Sequence, residues 1–475
     1  MAIPGLSLPG LTLANNTIDE PTAPVVETKK IETLSARTEY RFETSFSSSV
    51  TIKVIEGNAE LFGTELAPNT AYNFKGTKGA IYTWEGCTLE IIGNLEGDYV
   101  AEETKMDMYA NVHFTLERLR EEARHQGSLG PRVLVVGPEN SGKTSLVKIL
   151  TSYAVKSARQ PMVVNLDPRQ GMLSLPGSLA AAAFASLLDI EEGWGFTPIS
   201  GPSPAPVKMP LCYHFGTEHP KDNTKIFRSL VTRMALAVTS RLSEDSDVRE
   251  AGIIIDTPGS LSSGKGGGYD LIQHIVSEFS INVLLVMGSE RLHTEMRKRL
   301  GGTNPEGPVT IVKLDKSEGC VEREVSYMRQ LRQQQIREYF FGRGSITLQP
   351  YTQQADLKQL SIYRIIDPSG TNSSFNPGGE DDDDDEYTPQ LSITNLYERI
   401  MPSLMLQNCL LAVTYAHPND NQEAIRDSSI MGYVYVADVD EAKKKIKLLS
   451  PVSGNVPTRA LIYGSWPEDF ADLVA

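Results

Sequence analysis

The stretch Val133-Leu-Val-Val-Gly-Pro-Glu-Asn-Ser-Gly-Lys-Thr-Ser-Leu-Val-Lys-Ile-Leu150 decides the fold. A short apolar run leads into a glycine-bounded turn, and apolar residues at helical spacing follow (Leu146, Val147, Ile149, Leu150). The turn satisfies G-x-x-x-x-G-K-[ST] through Gly137, Gly142, Lys143 and Thr144. Each position meets a separate physical demand. The two glycines let the loop fold back, so that its backbone N–H groups can surround phosphate oxygens. Asn140, Ser141 and Ser145 belong to the same cradle. Lys143 brings a point charge to the β and γ phosphates, and Thr144 a hydroxyl ligand for magnesium. The helix that starts there adds the positive end of its dipole. The string alone arises by chance in on the order of one chain in fifty of this length. The strand before it and the helix after it make the reading specific: a purine nucleoside triphosphate with magnesium.

Magnesium at such a loop needs a carboxylate. Two aspartates stand at ends of apolar strands: Asp167 after Met162-Val-Val-Asn-Leu, and Asp256 after Gly252-Ile-Ile-Ile. An aspartate there is more often a helix cap or turn residue, but beside a P-loop either one can hold the metal or its waters. Further runs of the same kind, Val283-Leu-Leu-Val and Val309-Thr-Ile-Val, complete a pattern of buried strands alternating with helices. Residues 131–345 therefore read as one α/β domain with a doubly wound, mainly parallel sheet. Basic residues cluster at Arg291, Arg297, Lys298 and Arg299, and again at Arg323, Arg329, Arg332 and Arg337. A solvated helix face is the ordinary explanation. The sharper one is an arginine lid over the phosphates, with Arg323 and Arg329 as its candidates.

Outside this domain the texture changes. Residues 1–30 are Pro-, Thr- and Asn-rich and read as a flexible leader. Residues 31–125 carry short alternating runs (Tyr40-Arg-Phe-Glu, Val50-Thr-Ile-Lys-Val, Ala80-Ile-Tyr-Thr-Trp, Leu89-Glu-Ile-Ile) broken by Gly and Asn, the pattern of a small β-sandwich. A polar helix over Asn111–Gln126 connects it to the P-loop domain. Residues 346–475 read as a β-rich C-terminal domain interrupted by a disordered acidic loop at about 370–387, where Glu380 to Glu386 supplies seven consecutive negative charges.

The formal net charge of −15, from 60 acidic and 45 basic residues, excludes a protein whose whole surface coats nucleic acid; any RNA contact must be a local patch. Four cysteines (Cys87, Cys212, Cys320, Cys409) form no C-x-x-C, so neither a zinc knuckle nor a redox pair is expected. No run approaches the ~20 apolar residues of a membrane span, and the first residues lack a basic n-region. A soluble protein of cytosol or nucleus is expected.

These strings resemble the Clp-type family, the RNA 5′-hydroxyl-kinase-related subunit of the mRNA cleavage and polyadenylation factor, in its fungal form. The resemblance runs from about Thr38 to the C-terminus. It rests on Arg37-Thr-Glu-Tyr-Arg-Phe-Glu, Asn58-Ala-Glu-Leu-Phe-Gly-Thr-Glu-Leu, Tyr82-Thr-Trp-Glu-Gly-Cys, the P-loop, Leu173-Ser-Leu-Pro-Gly, Tyr213-His-Phe-Gly, Ser289-Glu-Arg-Leu and Arg337-Glu-Tyr-Phe. It implies the three domains above, and a nuclear subunit of the pre-mRNA 3′-end cleavage factor that holds ATP and Mg2+ structurally. The implied partners are the factor's large RNA-polymerase-tail-binding subunit, other 3′-end processing subunits, and RNA. Glu39 and Lys78, which read as ordinary surface charges on their own, would hold the adenine end. Asp167, in Asp167-Pro-Arg-Gln-Gly171, matches the family's catalytic aspartate. The alternative is an active polynucleotide 5′-hydroxyl kinase, with Asp167, Lys143 and Arg323 catalytic and Thr144, Asp167 and Asp256 at the metal.

Two departures weigh against that alternative. The turn Asp256-Thr-Pro-Gly-Ser260 lacks the tryptophan that the active kinases carry near the RNA end, and such base stacking contributes about 1–3 kcal/mol. The second lid arginine falls on Met328, with Arg329 one residue and about 100° around the helix away. A GTPase switch is a third reading, from Asp256-Thr-Pro-Gly and Val312-Lys-Leu-Asp315, but Val312 stands where a guanine-reading loop needs Asn or Thr.

Overall fold

Two stacked antiparallel sheets form the N-terminal part of the chain. In the computed structural model, residues 28–194, 210–264, 267–302, 307–344, 346–366 and 396–473 are described. The expected leader up to residue 27 and the acidic loop at about 370–387 lie outside the described residues. One sheet runs Lys29–Leu34, Cys87–Ile92, Val50–Gly57, Ala71–Phe74; the other runs Thr64–Glu65, Glu60–Leu61, Lys78–Thr83, Thr38–Glu43, Gly97–Ala101. Val50–Gly57 buries alternate side chains, as period-2 patterning demands of a strand with one face in a core. Phe42, Val50, Ile52, Phe74, Ile81, Leu89 and Ile91 fill the space between the sheets. Lys29 and Lys30, assigned above to the leader, instead open the first strand. They are held there by pairing with Cys87–Ile92 and by ion pairs from Lys29 to Glu90 and Lys30 to Asp98. Lysines suit this position, because it is a sheet edge that must not recruit another strand.

The connecting helix spans Met106–Gln126 and stops at Gly127, whose φ of 61° ends it in the left-handed region. It starts five residues earlier than expected, and its polar composition hides a buried face of Met106, Tyr109, His113, Leu116 and Arg120. Arg120 is fully buried; its Nε donates to Ala251 O at 3.0 Å and its guanidinium pairs with Glu117.

The central sheet has the order Leu211–His214, Ser178–Ala183, Met162–Asn165, Ile253–Asp256, Arg132–Val136, Val283–Met287, Thr310–Leu314. The last five strands are parallel neighbours, and they are the five apolar runs legible in the sequence. The first two extend the sheet antiparallel. Ser178-Leu-Ala-Ala-Ala-Ala has strong helix propensity, but pairing along Met162–Asn165 and near-complete burial override it. Register places Val135 and Asn165 beside Asp256. The P-loop, Asp167 and Asp256 thus gather at the carboxyl ends of the parallel strands, where α/β sheets open a binding crevice.

A seven-stranded sheet makes up the C-terminal domain, in the order Tyr351–Asp356, Lys445–Ser450, Ile430–Asp440, Leu410–Thr414, Ala460–Tyr463, Ser361–Ile365, Tyr397–Ile400. The helix Val325–Phe341 leads into it from the central domain. No helix among the described residues is long and apolar enough to cross a membrane.

Candidate nucleotide site

One cavity of about 500 Å³ lies between the sandwich and the central domain. Its floor is the P-loop. Asn140 (φ 53°) and Gly142 (φ 84°) take left-handed backbone, which turns the chain back on itself before the helix Lys143–Lys156. A Cβ on Gly142 would sit 2.8 Å from Cys320 Sγ, and one on Gly137 2.8 Å from Met287 O. Both glycines are therefore required by space, and Gly142 by φ as well. Ser141 Oγ and Lys143 Nζ each donate to Pro138 O at 2.8 Å, so the lysine folds over the loop. Burial pushes the Lys143 ammonium below its usual range, against the pull of Asp256, Asp167 and Glu139.

Two buried carboxylates face this lysine. Asp256 Oδ2 accepts from Thr144 Oγ1 at 2.6 Å, while Oδ1 is buried with no hydrogen-bond partner among the described residues. Burial raises its carboxyl to about 6. An orphaned buried oxygen beside a threonine hydroxyl fits an oxygen-liganded hard cation such as magnesium. Asp167 is also buried, and its carboxyl is raised by burial despite an N–H from Arg169 at 3.0 Å. Asn165 builds the turn that aims it, bonding the Asp167 N–H and, through Nδ2, the Gln170 carbonyl at 2.8 Å. Arg169 in turn pairs with Glu139 of the P-loop at 2.7 Å.

The sandwich supplies the opposite wall. Glu39 is not a surface charge: it is 6 % exposed, pairs with Arg41 at 2.7 Å and accepts from Thr104. Lys78 pairs with Glu43 at 2.5 Å and lies 5.2 Å over the Tyr327 ring. Both line the cavity with Gly137's neighbours Asn140, Ser141, Gly142, Lys143, Thr144 and Ser145. Arg323 joins them, its Nε 3.4 Å from Asn140 Oδ1. Arg329 does not. It is exposed, and Met328 faces the cavity in its place, as the 100° step along the helix requires. The guanine-reading alternative also fails on geometry: Lys313 pairs with Glu290, and Asp315 is absent from the cavity wall.

Several cavity residues had no sequence signal of their own. Arg41 and Tyr99 flank Glu39, with the guanidinium 5.6 Å over the Tyr99 ring. Lys148, one turn beyond Thr144, sits between the Phe62 and Trp194 rings at 5.7 and 5.9 Å. Burial lowers its ammonium to about 8. Only the Thr144-to-Lys148 spacing, which sets both on one helix face, pointed to it.

A P-loop at the carboxyl edge of a mainly parallel sheet, roofed by a β-sandwich, defines a nucleotide-binding protein of the P-loop class. Residues 137–342 match the family described as mRNA cleavage and polyadenylation factor CLP1 P-loop, residues 33–123 the N-terminal beta-sandwich domain of polyadenylation factor, and residues 348–468 the pre-mRNA cleavage complex II protein Clp1. The mRNA cleavage and polyadenylation factor CLP1 of Phaeosphaeria nodorum is 56% identical over 472 residues, covering 99% of this chain and 100% of the relative. That of Botryotinia fuckeliana is 52% identical over 99% of this chain and 100% of the relative. The chain belongs to the mRNA cleavage and polyadenylation factor CLP1 family. Among solved structures, a wild-type Clp1p–Pcf11p complex matches with a TM-score of 0.80 at 28% identity, over 92% of this chain and 98% of that one. A second structure, equal in these measures, concerns the extended interface between Pcf11p and Clp1p and the basis for ATP loss in a glycine-to-arginine point mutant.

Proposed function

We propose that the cavity holds ATP with Mg2+ as a structural element. The chain then acts as the ATP-binding subunit of the nuclear pre-mRNA cleavage factor needed for 3′-end cleavage and polyadenylation. The observation that carries this reading is that two domains build one cavity: P-loop on the floor, Glu39 and Lys78 on the roof. A nucleotide there bridges sandwich and central domain, and binding free energy becomes domain-docking free energy. Glu39 and Lys78 would engage the adenine end. Asn140, Ser141, Ser145 and the glycine-bounded loop would cradle phosphate, with Lys143 and Arg323 adding positive charge. Thr144 and Asp256 would hold the metal, with Asp167 close by. The relatives solved with Pcf11p support a role in docking the factor's large RNA-polymerase-tail-binding subunit.

What would make the site a phosphoryl-transfer engine is thin. Met328 stands where a second lid arginine would follow Arg323, and the turn after Asp256 carries no aromatic residue. One observation favours the alternative, an active 5′-hydroxyl kinase: Asp167 is a buried carboxylate of raised affinity for protons, opening on the same cavity as Lys143. Such a group is poised to take a proton from an attacking hydroxyl. The structural reading predicts that Lys143→Ala loses co-purifying ATP and, with it, binding of the large partner subunit in a pull-down. Loss of neither overturns it.

A further inference from the structure

A segment of the C-terminal domain reaches into the framework of the nucleotide site. Trp466 Nε1 donates to Pro168 O at 3.2 Å, one residue after Asp167. The same carbonyl accepts from Gly177 N at 2.7 Å, so the turn carrying Asp167 is closed from two sides. Trp466 N donates to Gly216 O at 3.1 Å, and a Cβ on Gly177 would lie 2.6 Å from Trp466 O. The edge of the indole is thereby tied to the backbone of the Asp167 loop. One ring face receives Arg332, whose guanidinium centre lies 4.4 Å over the ring. Arg332 is 5 % exposed and donates to both oxygens of Glu468, from Nε at 2.9 Å and from Nη2 at 2.6 Å. A buried guanidinium paired through a fork and stacked on indole is among the stronger polar contacts available to a protein.

Arg332 belongs to the helix Val325–Phe341, whose first turns border the cavity. Tyr327 OH donates to Gly76 O of the sandwich at 3.0 Å, Met328 lines the cavity, and Arg323 just before the helix reaches Asn140 of the P-loop. Residues 466–468 therefore hold two walls at the phosphate end, the Asp167 turn and the helix behind Arg323. We propose that Trp466, Glu468 and Arg332 are positioning residues of the nucleotide site, and that the C-terminal domain sets nucleotide affinity through them without touching the nucleotide. This rests on the reading that the cavity binds ATP. Because the grip is at the Asp167 and Arg323 end, it acts on the terminal phosphate and metal more than on the adenine end. By reciprocity, bound ATP stiffens residues 464–470.

The test uses the full-length chain. ATP and ADP dissociation constants are measured by calorimetry with magnesium for the parent chain, Trp466→Phe, Glu468→Gln and Arg332→Ala. Thr414→Val serves as control, since it removes a buried C-terminal hydrogen bond to Ala460 O away from this contact. Trp466→Phe keeps an aromatic ring under Arg332 but deletes the N–H along with the second ring of the indole. The expected result is a three- to tenfold loss for ATP in all three variants, less than twofold for ADP, and neither in Thr414→Val. Hydrogen exchange at 464–470 should slow on ATP binding in the parent chain and not in Arg332→Ala. A purely structural contact moves ATP and ADP equally or not at all, which overturns the proposal. If one variant fails to fold, the same ATP-over-ADP criterion is read on the other two. A parent chain that binds no ATP overturns the nucleotide reading instead.

Discussion

Glu39 and Gly142 mark the two extremes of what single residues disclose. Gly142 was legible because a glycine before Lys-Thr has one dominant use, and the structure adds a second constraint, Cys320 Sγ 2.8 Å from where a Cβ would stand. Glu39 was not legible as a buried group, since a glutamate in an alternating strand normally faces water. Its burial depends on Arg41 two residues on and Thr104 across the domain. Nor was the role of Asn165 visible, although an asparagine two residues before a strand-end aspartate is the spacing of a side-chain-to-backbone turn. Gly142→Ala tests the cradle at this scale. Left-handed backbone for a residue with Cβ costs roughly 1–2 kcal/mol, and the sulfur contact adds to it. The variant should bind ATP at least tenfold more weakly by calorimetry while its ligand-free melting temperature falls by only a few degrees.

At the scale of elements, period decided what could be read. The five parallel strands stood out as continuous apolar runs, and the sandwich strands as alternation. Ser178–Ala183 did not, because four alanines say helix until a neighbouring strand says otherwise. The helix Met106–Gln126 was legible as a helix but not as a packed one, because its buried face includes His113 and Arg120. His113 stacks edge-on against Tyr153 of the P-loop helix at 5.3 Å. Burial, helped by Arg120, lowers its imidazole from 6.5 to about 4. It is neutral in the folded protein at pH 7. Its contribution is complete above pH 6.5 and is lost as pH falls through 4, because the unfolded chain takes up the proton first. The shift corresponds to about 3 kcal/mol. Between pH 7 and 4, urea unfolding should therefore show the parent chain losing about that much more stability than His113→Gln, since the raised carboxyls of Asp256 and Asp167 titrate alike in both proteins. Equal pH slopes in both proteins would remove His113 from the account.

For the whole molecule, the three-domain order followed from changes in texture along the chain. The way the domains meet did not, since it depends on contacts between distant residues. Trp466 and Pro168 are 298 positions apart, and nothing local to either announces the bond. The same holds for the cavity, whose roof and floor are separated by the connecting helix. The structure gives the P-loop a setting that sequence alone could not: a cavity roofed by a β-sandwich and walls braced by the C-terminal domain. That setting is the reason to regard bound ATP as part of the architecture. The most direct test is to purify the full chain, identify its bound nucleotide by chromatography, then add magnesium and a 5′-hydroxyl RNA oligomer and identify it again. The account predicts near-stoichiometric, intact ATP both times. ADP on the protein, with a 5′-phosphate on the RNA, would contradict it.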